Sequence, residues 1–164
     1  MRITVRVARP ADRDFVVSLV PRLRAFGPPP LRPPDAVDRA EREALERALD
    51  TPPEGSALLV AERDGADPVG VLYLETATDY FTQERHGHIS ILIVSELGEG
   101  HGVGRALLQA AEAWGAERGY RFLTLNVFGG NARARLLYER AGYAVDTVRY
   151  AKALPEAWGA APDP

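Results

Sequence analysis

The stretch "HISILIVSELGEGHGVGRALL", residues 88–108, decides the fold. Its first third is almost wholly apolar, as expected of a strand covered on both faces. Three glycines follow at every second position, Gly100, Gly102 and Gly104. The next segment, "GVGRALLQAAEAWGAERG", sets Val103, Leu107, Ala110 and Trp114 on one helical stripe, closed by Gly119. A strand, a short glycine turn and a helix present the first helical amides outward, at the positive end of the helix dipole, which suits an anion. Two phosphate loops fail on spacing. A G-x-G-x-x-G read from Gly100 meets Arg105, and one read from Gly98 meets Val103. The Gly-Lys-Ser/Thr ending of a triphosphatase loop is replaced by "GRA". Glu99 stands at the mouth of this site with the sign an anion should avoid.

Outward from this stretch, the remaining elements follow from periodicity. "ITVRV" alternates as a first strand, and "PADRDFVVSLVPRLRAF" reads as a helix with Phe15, Leu19, Leu23 and Phe26 along one stripe. Pro21 should kink or divide it, because it removes a hydrogen bond. "GPPPLRPPD" is a stiff extended connector. "DAVDRAEREALERALD" is a second amphipathic helix with Val37, Ala40, Ala44, Ala48 and Leu49 inward. "ALLVAER" and "VGVLYLETA" make a hairpin around "DGADP", and "YRFLTLNVF" is a strand. "GGNARARLLYERAG" is a shorter helix with Asn131 as N-cap and Gly142 as stop. "YAVDTVRYAKAL" supplies one or two last strands. Alternation of strands and helices in the second half implies a partly parallel sheet with helices on both faces, hence a single mixed α/β domain. It is assigned to residues 1–154, with 155–164 as a tail.

Composition narrows the function classes. The 164 residues suit one domain, with 46% apolar and 26% charged residues. Twenty basic and 23 acidic residues leave a net charge of −3, which argues against a general nucleic-acid or anionic-membrane binder. With no cysteine there is no disulfide, thiolate metal site or Cys nucleophile. Charges interrupt every short apolar run of "MRITVRVARP", so it reads as neither signal peptide nor anchor, and a cytoplasmic protein is expected. His86, His88 and His101 lack metal-ligand spacing, so no metal is expected.

A second motif joins the glycine loop. In "NARARLLYERAGY", Asn131, Ala134 and Tyr138 share one helical face, Asn131 and Tyr138 about 10 Å apart along the axis. Glu99-x-x-Gly102-x-Gly104 after an apolar strand, with Asn131, Ala134, Leu137, Tyr138, Gly142 and Tyr143 downstream, resembles the GNAT superfamily of acetyl-CoA-dependent N-acetyltransferases. The first residue of the loop departs from the family's Gln or Arg. The resemblance implies a GNAT-like fold with a mixed central sheet of about six or seven strands and helices on both faces.

The resemblance also implies a site. Acetyl-CoA would lie between splayed strands, its pantetheine arm pairing with the backbone of Leu92, Ile93 and Val94. Its pyrophosphate would sit on the loop that starts at Glu99 and Gly100, on the amides of Gly102, Val103, Gly104 and Arg105. Asn131, Ala134 and Tyr138 would line the cofactor's course, and the Val94 amide would stabilise the reacting oxygen. A primary amine would attack the thioester directly. Tyr138 matches the family's general acid. Ser90 and Ile91 occupy places where relatives carry an acidic base, which leaves His88 and Glu75 as candidates. His86 and His101 are expected in solvent-facing loops. Tyr80 and Phe81 would form an apolar acceptor wall, with Asp79 and Glu84 drawing a cationic amine. Three readings stay open: transfer to a small-molecule amine, with a homodimer as one arrangement; transfer to a protein N-terminus or lysine; and a CoA-binding sensor or structural module.

Overall fold

The computed structural model describes residues 1–27 and 29–155. Pro28 of the proline-rich connector and residues 156–164 of the expected tail lie outside them. Period-two alternation builds β1 (Ile3–Val7), β2 (Ala57–Arg63), β3 (Asp67–Thr78) and β4 (Arg85–Val94), each antiparallel to the next. β5 (Leu123–Leu125) adds in parallel to β4, so the sheet order follows the chain order. The parallel step needs a crossover, and α3 (Val103–Glu117) provides it.

Each face of the sheet has its own core. Leu58, Val60, Val71, Tyr73, Ile91 and Ile93 point to one side, where α1 (Arg13–Ser18) and α2 (Pro34–Asp50) bury Val16, Leu45 and Ala48 against them. Leu59, Ala61, Leu72, Leu74 and Ile89 point to the other, under α3 with Leu107, Leu108 and Trp114 and under α4 (Ala132–Arg140). One irregularity shifts the pattern. Tyr73 pairs with Ile91 but Leu74 pairs with Ile89, leaving Ser90 as the extra residue of a bulge. Ile89 and Ile91 thereby face opposite cores, although residues two apart in a regular strand share a face.

The first helix is divided, as Pro21 leads one to expect: 3-10 turns at Pro10–Asp12 and Val20–Arg24 flank the six-residue α1, because Pro21 has no amide to continue the ladder. The structure departs from the sequence reading in three places. On α2 the inward stripe is Val37, Leu45 and Ala48; Ala40 is exposed and Ala44 and Leu49 only flank the core. The sheet has five strands, not six or seven, because residues 144–155 form no strand among the described residues. The β5 segment is shorter than "YRFLTLNVF", since only three residues find partners on β4. Among the described residues no helix is long and apolar enough to cross a membrane.

Polar groups secure the corner after β1. Asp12, 7% exposed, takes two hydrogen bonds from the Arg6 guanidinium at 2.8 and 2.9 Å and one from the Arg9 amide. The Arg6 hydrogen bonds are the main reason its carboxyl is held below the usual range, despite burial. A depressed folded pKa contributes stability above the unfolded value near 3.9 and loses it as pH falls through the folded value. Asp12→Asn should therefore destabilise the protein at pH 7, with the deficit shrinking as the medium is acidified below about pH 4, measured by urea unfolding across pH. Leu45, fully buried, sets the second test. Leu45→Ala should cost about 2–5 kcal/mol in the same assay, whereas Ala40→Ser should stay within about 0.5 kcal/mol.

Candidate functional site

β4 and β5 pair over three residues only, and the gap beyond them is here called the cleft. Their pairing runs from Gly87–Leu123 to Ile89–Leu125 and stops at the Ser90 bulge, while β4 continues to Val94 beside β3. The antiparallel register fixes which backbone groups are free. The Ser95 amide bonds to the Val69 carbonyl, so alternation turns the amides and carbonyls of Leu92 and Val94 away from β3, toward the cleft. Those of Ile93 turn to β3. Beside this edge Ser95 Oγ is buried with no partner among the described residues.

The glycine loop closes the far end of the cleft. Gly100 (φ 74°) and Gly102 (φ 78°) adopt the left-handed conformation that a side chain would strain, and Gly102 caps α3. The amides of Gly100, Gly102, Val103, Gly104 and Arg105 meet no protein acceptor among the described residues. Gly104 has a different task. A Cβ there would lie 2.9 Å from Leu137 Cδ2, so its missing side chain lets α4 pack on α3. Arg105 is exposed in the first turn.

Glu99 neither enters the cradle nor faces open water. It bridges Arg22, from the 3-10 turn after α1, and Arg133 of α4, the latter at 3.0 Å. Arg22 also donates to the Val94 carbonyl at 2.8 Å and to Glu96 at 3.1 Å. Both arginines lie over the Phe26 ring, Arg133 at 4.7 Å. Beside them a Cβ on Gly27 (φ 117°) would come within 2.6 Å of the Gly130 carbonyl carbon. These contacts clasp the connector to the entry of α4 across the glycine-loop end of the cleft. Arg133, more than any other group, holds the Glu99 carboxyl below its ordinary range. Sequence reasoning missed Arg22 and Arg133, since pairing with Glu99 across 77 and 34 positions leaves no local signal.

At the other end of the cleft a polar cluster surrounds the bulge. Glu75 and His88 stand directly opposite each other on β3 and β4. The Tyr73 hydroxyl (3.2 Å) and Ser90 hydroxyl (2.5 Å) donate to the two Glu75 oxygens. His88 Nδ1 lies 2.8 Å from Thr124 Oγ1 on β5, and His86 Nε2 lies 3.1 Å from the same oxygen. Burial, as the largest influence, pushes the His88 pKa down; Glu75 opposes it and His86 adds to it. His86 corrects the sequence reading. It is 6% exposed within β4 and stacks on Phe122, because β4 begins at Arg85 and carries it inside. His101 is exposed in the glycine loop, as expected. Tyr73, Ser90 and Thr124 were not foreseen. Their role follows from the register and the bulge, which single-strand patterning does not reveal.

On α4 the Asn131 side chain accepts from the Ala134 amide at 3.1 Å and caps the helix, as expected. Tyr138 is half-buried against the α3 core and beside Tyr143, its hydroxyl pKa raised by burial. Tyr80 and Phe81 stand at the tip of the β3–β4 turn, 84% and 86% exposed and packed edge-on to each other. Asp79 is spent on that turn, accepting from the Phe81 and Thr82 amides, and Glu84 pairs with Arg121.

Comparison with known proteins agrees with this architecture. Residues 23–143 match the acetyltransferase (GNAT) family model, and the chain belongs to that family. It is 37% identical over 102 residues to a mycothiol acetyltransferase of Propionibacterium freudenreichii, covering 61% of this chain but only 32% of that protein. The chain thus spans about a third of that relative's length. An uncharacterized N-acetyltransferase of Bacillus subtilis, YhfO, is 29% identical over 145 residues, covering 88% of this chain and 92% of the other. A putative acetyl transferase from Pyrococcus furiosus shares the fold with a TM-score of 0.73 over 93% of this chain and all of that one, at 20% identity.

The family uses acetyl-CoA, and the loop's unpaired amides, the outward Leu92 groups and Val94 amide and the orphaned Ser95 hydroxyl all fit such a ligand. Removing the Glu99 charge should free both guanidiniums for phosphate. Glu99→Gln is expected to tighten acetyl-CoA binding by up to about fivefold, within 1 kcal/mol for a solvent-screened pair, as read by calorimetric titration at low salt. A loss of affinity would show that the clasp is needed to hold α4 in place.

Proposed function

We propose that this chain is an N-acetyltransferase that moves the acetyl group of acetyl-CoA to a primary amine of a small molecule, by direct attack in a ternary complex. One observation carries the reading. The unpaired amides of Gly100 and Gly102–Arg105 and the polar cluster at Ser90 flank the two ends of the β4 edge that has no strand partner, from Leu92 to Val94. Acetyl-CoA supplies an activated thioester. The chain must then bind phosphates at one end and handle two protons at the other.

Binding falls to the backbone. The amides of Gly100, Gly102, Val103, Gly104 and Arg105 would hold the pyrophosphate at the α3 N-terminus. Leu92 and Val94 would offer strand-like hydrogen bonds to the pantetheine arm, and the Val94 amide would stabilise charge on the reacting oxygen. Ile93 would contribute through its packing, since its own backbone groups face β3.

Proton removal falls to His88. An amine of lysine type is mostly protonated at neutral pH and needs a base. Thr124 Oγ1 has two lone pairs and can accept from both His86 Nε2 and His88 Nδ1, which leaves the His88 Nε2 lone pair free. With its pKa depressed, His88 is neutral at pH 7. Glu75, already accepting two hydrogen bonds, acts through charge across the strand pair rather than as the base. The Tyr138 hydroxyl would supply a proton to the departing sulfur, a role its raised pKa permits because the proton stays on at neutral pH.

The test is turnover of acetyl-CoA over a panel of small amines and peptides. Tyr138→Phe should lower kcat by about 10² with acetyl-CoA affinity nearly unchanged. The acidic limb of kcat/KM should fall below the ordinary histidine range near 6.5 and vanish in His88→Gln. Glu75→Gln should shift that limb to still lower pH, because it removes the charge that favours protonated His88. Peptide turnover with none on small amines would move the acceptor to protein. Tight CoA binding with no turnover on any amine would make the chain a sensor.

A further inference from the structure

A cavity lies at the end of β1, on the sheet edge opposite β5. β1 stops at Val7, which pairs with Leu59, and its last bond to β2 runs from the Ala8 amide to the Leu58 carbonyl at 2.8 Å. Pro10 then carries the chain into a 3-10 turn, since it has no amide to extend the ladder. β2 begins at Ala57, so its outer edge there has no strand beside it among the described residues. The helices on the two faces also end, α2 at Asp50 and α3 at Glu117. The space left is about 370 Å³, within the range that holds small ligands.

Its walls are chemically one-sided. The floor is apolar: Ala48, Leu58, Leu59 and Trp114 are each less than a tenth exposed. Ser56 also lines it, but its hydroxyl proton is spent on the Pro53 carbonyl at 2.5 Å. The charged residues of the lining are Arg9 and Arg118, with no carboxylate among them. Both are exposed, and neither joins an ion pair among the described residues. Asp12 accepts from the Arg9 amide, but its carboxylate is paired with the Arg6 guanidinium. Arg118 is held in place by its neighbour. Its guanidinium carbon lies 4.0 Å from the centre of the Trp114 ring, and Nη1 donates to the Trp114 carbonyl at 3.2 Å. The other N–H donors of that guanidinium have no protein partner among the described residues.

A cation would be repelled here, and a purely apolar molecule would leave both guanidiniums to water. An apolar body with an anionic head satisfies floor and rim together. We propose that this cavity is a second ligand site, for a small amphipathic carboxylate. Its chain or ring would lie on Leu58, Leu59 and Trp114, and its head would meet Arg9 and Arg118. β2, β3 and β4 stand between this cavity and the free edge at Leu92 and Val94, so such a ligand binds together with acetyl-CoA. The site rests on the cavity and its charges and not on the acetyltransferase reading; binding alone tests it, without any turnover measurement.

The experiment titrates the full chain with octanoate by calorimetry, without CoA and with CoA in excess. One equivalent should bind in both cases with Kd below about 1 mM. Octylamine, of the same length and opposite charge, should bind at least tenfold more weakly. Arg9→Gln with Arg118→Gln should weaken octanoate at least tenfold while circular dichroism stays unchanged, because both side chains are exposed. In proton–nitrogen correlation spectra of the unaltered protein, octanoate should move the Trp114 indole resonance and the Ala57 and Leu58 amides, and leave those of Gly100–Arg105 in place. This mapping needs no variant. Absence of octanoate binding would overturn the proposal. So would equal binding of octylamine, loss of octanoate when CoA is added, unchanged affinity in the double variant, or resonance shifts confined to the glycine loop.

Discussion

The divergence of β4 from β5 is the constraint on which the rest of this molecule turns. Parallel pairing lasts from Gly87 to Ile89 and then ends at a bulged serine. The extra residue lets Ile89 serve the α3 core and Ile91 serve the α1–α2 core. It also leaves the outer backbone groups of Leu92 and Val94 without a strand partner. A protein interior rarely tolerates such free edges, so the cleft has to be filled by water, by a side chain or by a ligand. Arg22 takes part of that role by donating to the Val94 carbonyl.

The same divergence organises the electrostatics. At one end lie unpaired amides and a helix dipole; at the other lie Glu75 and two histidines that share Thr124. His88 illustrates the balance. Burial and His86 disfavour its protonated form and Glu75 favours it, with burial dominant. The balance therefore favours the neutral imidazole.

Local periodicity made much of this legible. The apolar run at 89–94, the glycine spacing and the stripe of α3 are short-range patterns, and they placed β4, the loop and α3. Asn131 capped α4 as its type predicts. Pro21 broke the first helix for a reason readable from one residue. What escaped were features set by register and long-range pairing. Ser90 was an absence of carboxylate in the sequence and became a donor to Glu75 only once the bulge put the two together. His86 looked like a loop residue because the strand before "HISILIV" begins with the charged Arg85. The strand count failed because alternation in 143–154 reports a capacity to pair, and pairing needs a neighbour that local sequence cannot supply.

Glu99 shows how a departure from a family's pattern can be physically consistent. A carboxylate before an anion cradle is unfavourable only if it faces the anion. Here two guanidiniums hold it, one from the segment before α2 and one from α4. With Glu96, which also pairs with Arg22, the group of two arginines and two carboxylates is neutral, so the acid beside the glycine loop is offset. Compared with a lone Gln or Arg at that position, the arrangement does more. It ties the connector, through Phe26 and Gly27, to the loop that starts α4. Because Tyr138 rides on that helix, the residue that looked like a flaw in the phosphate loop also sets where the proposed acid stands.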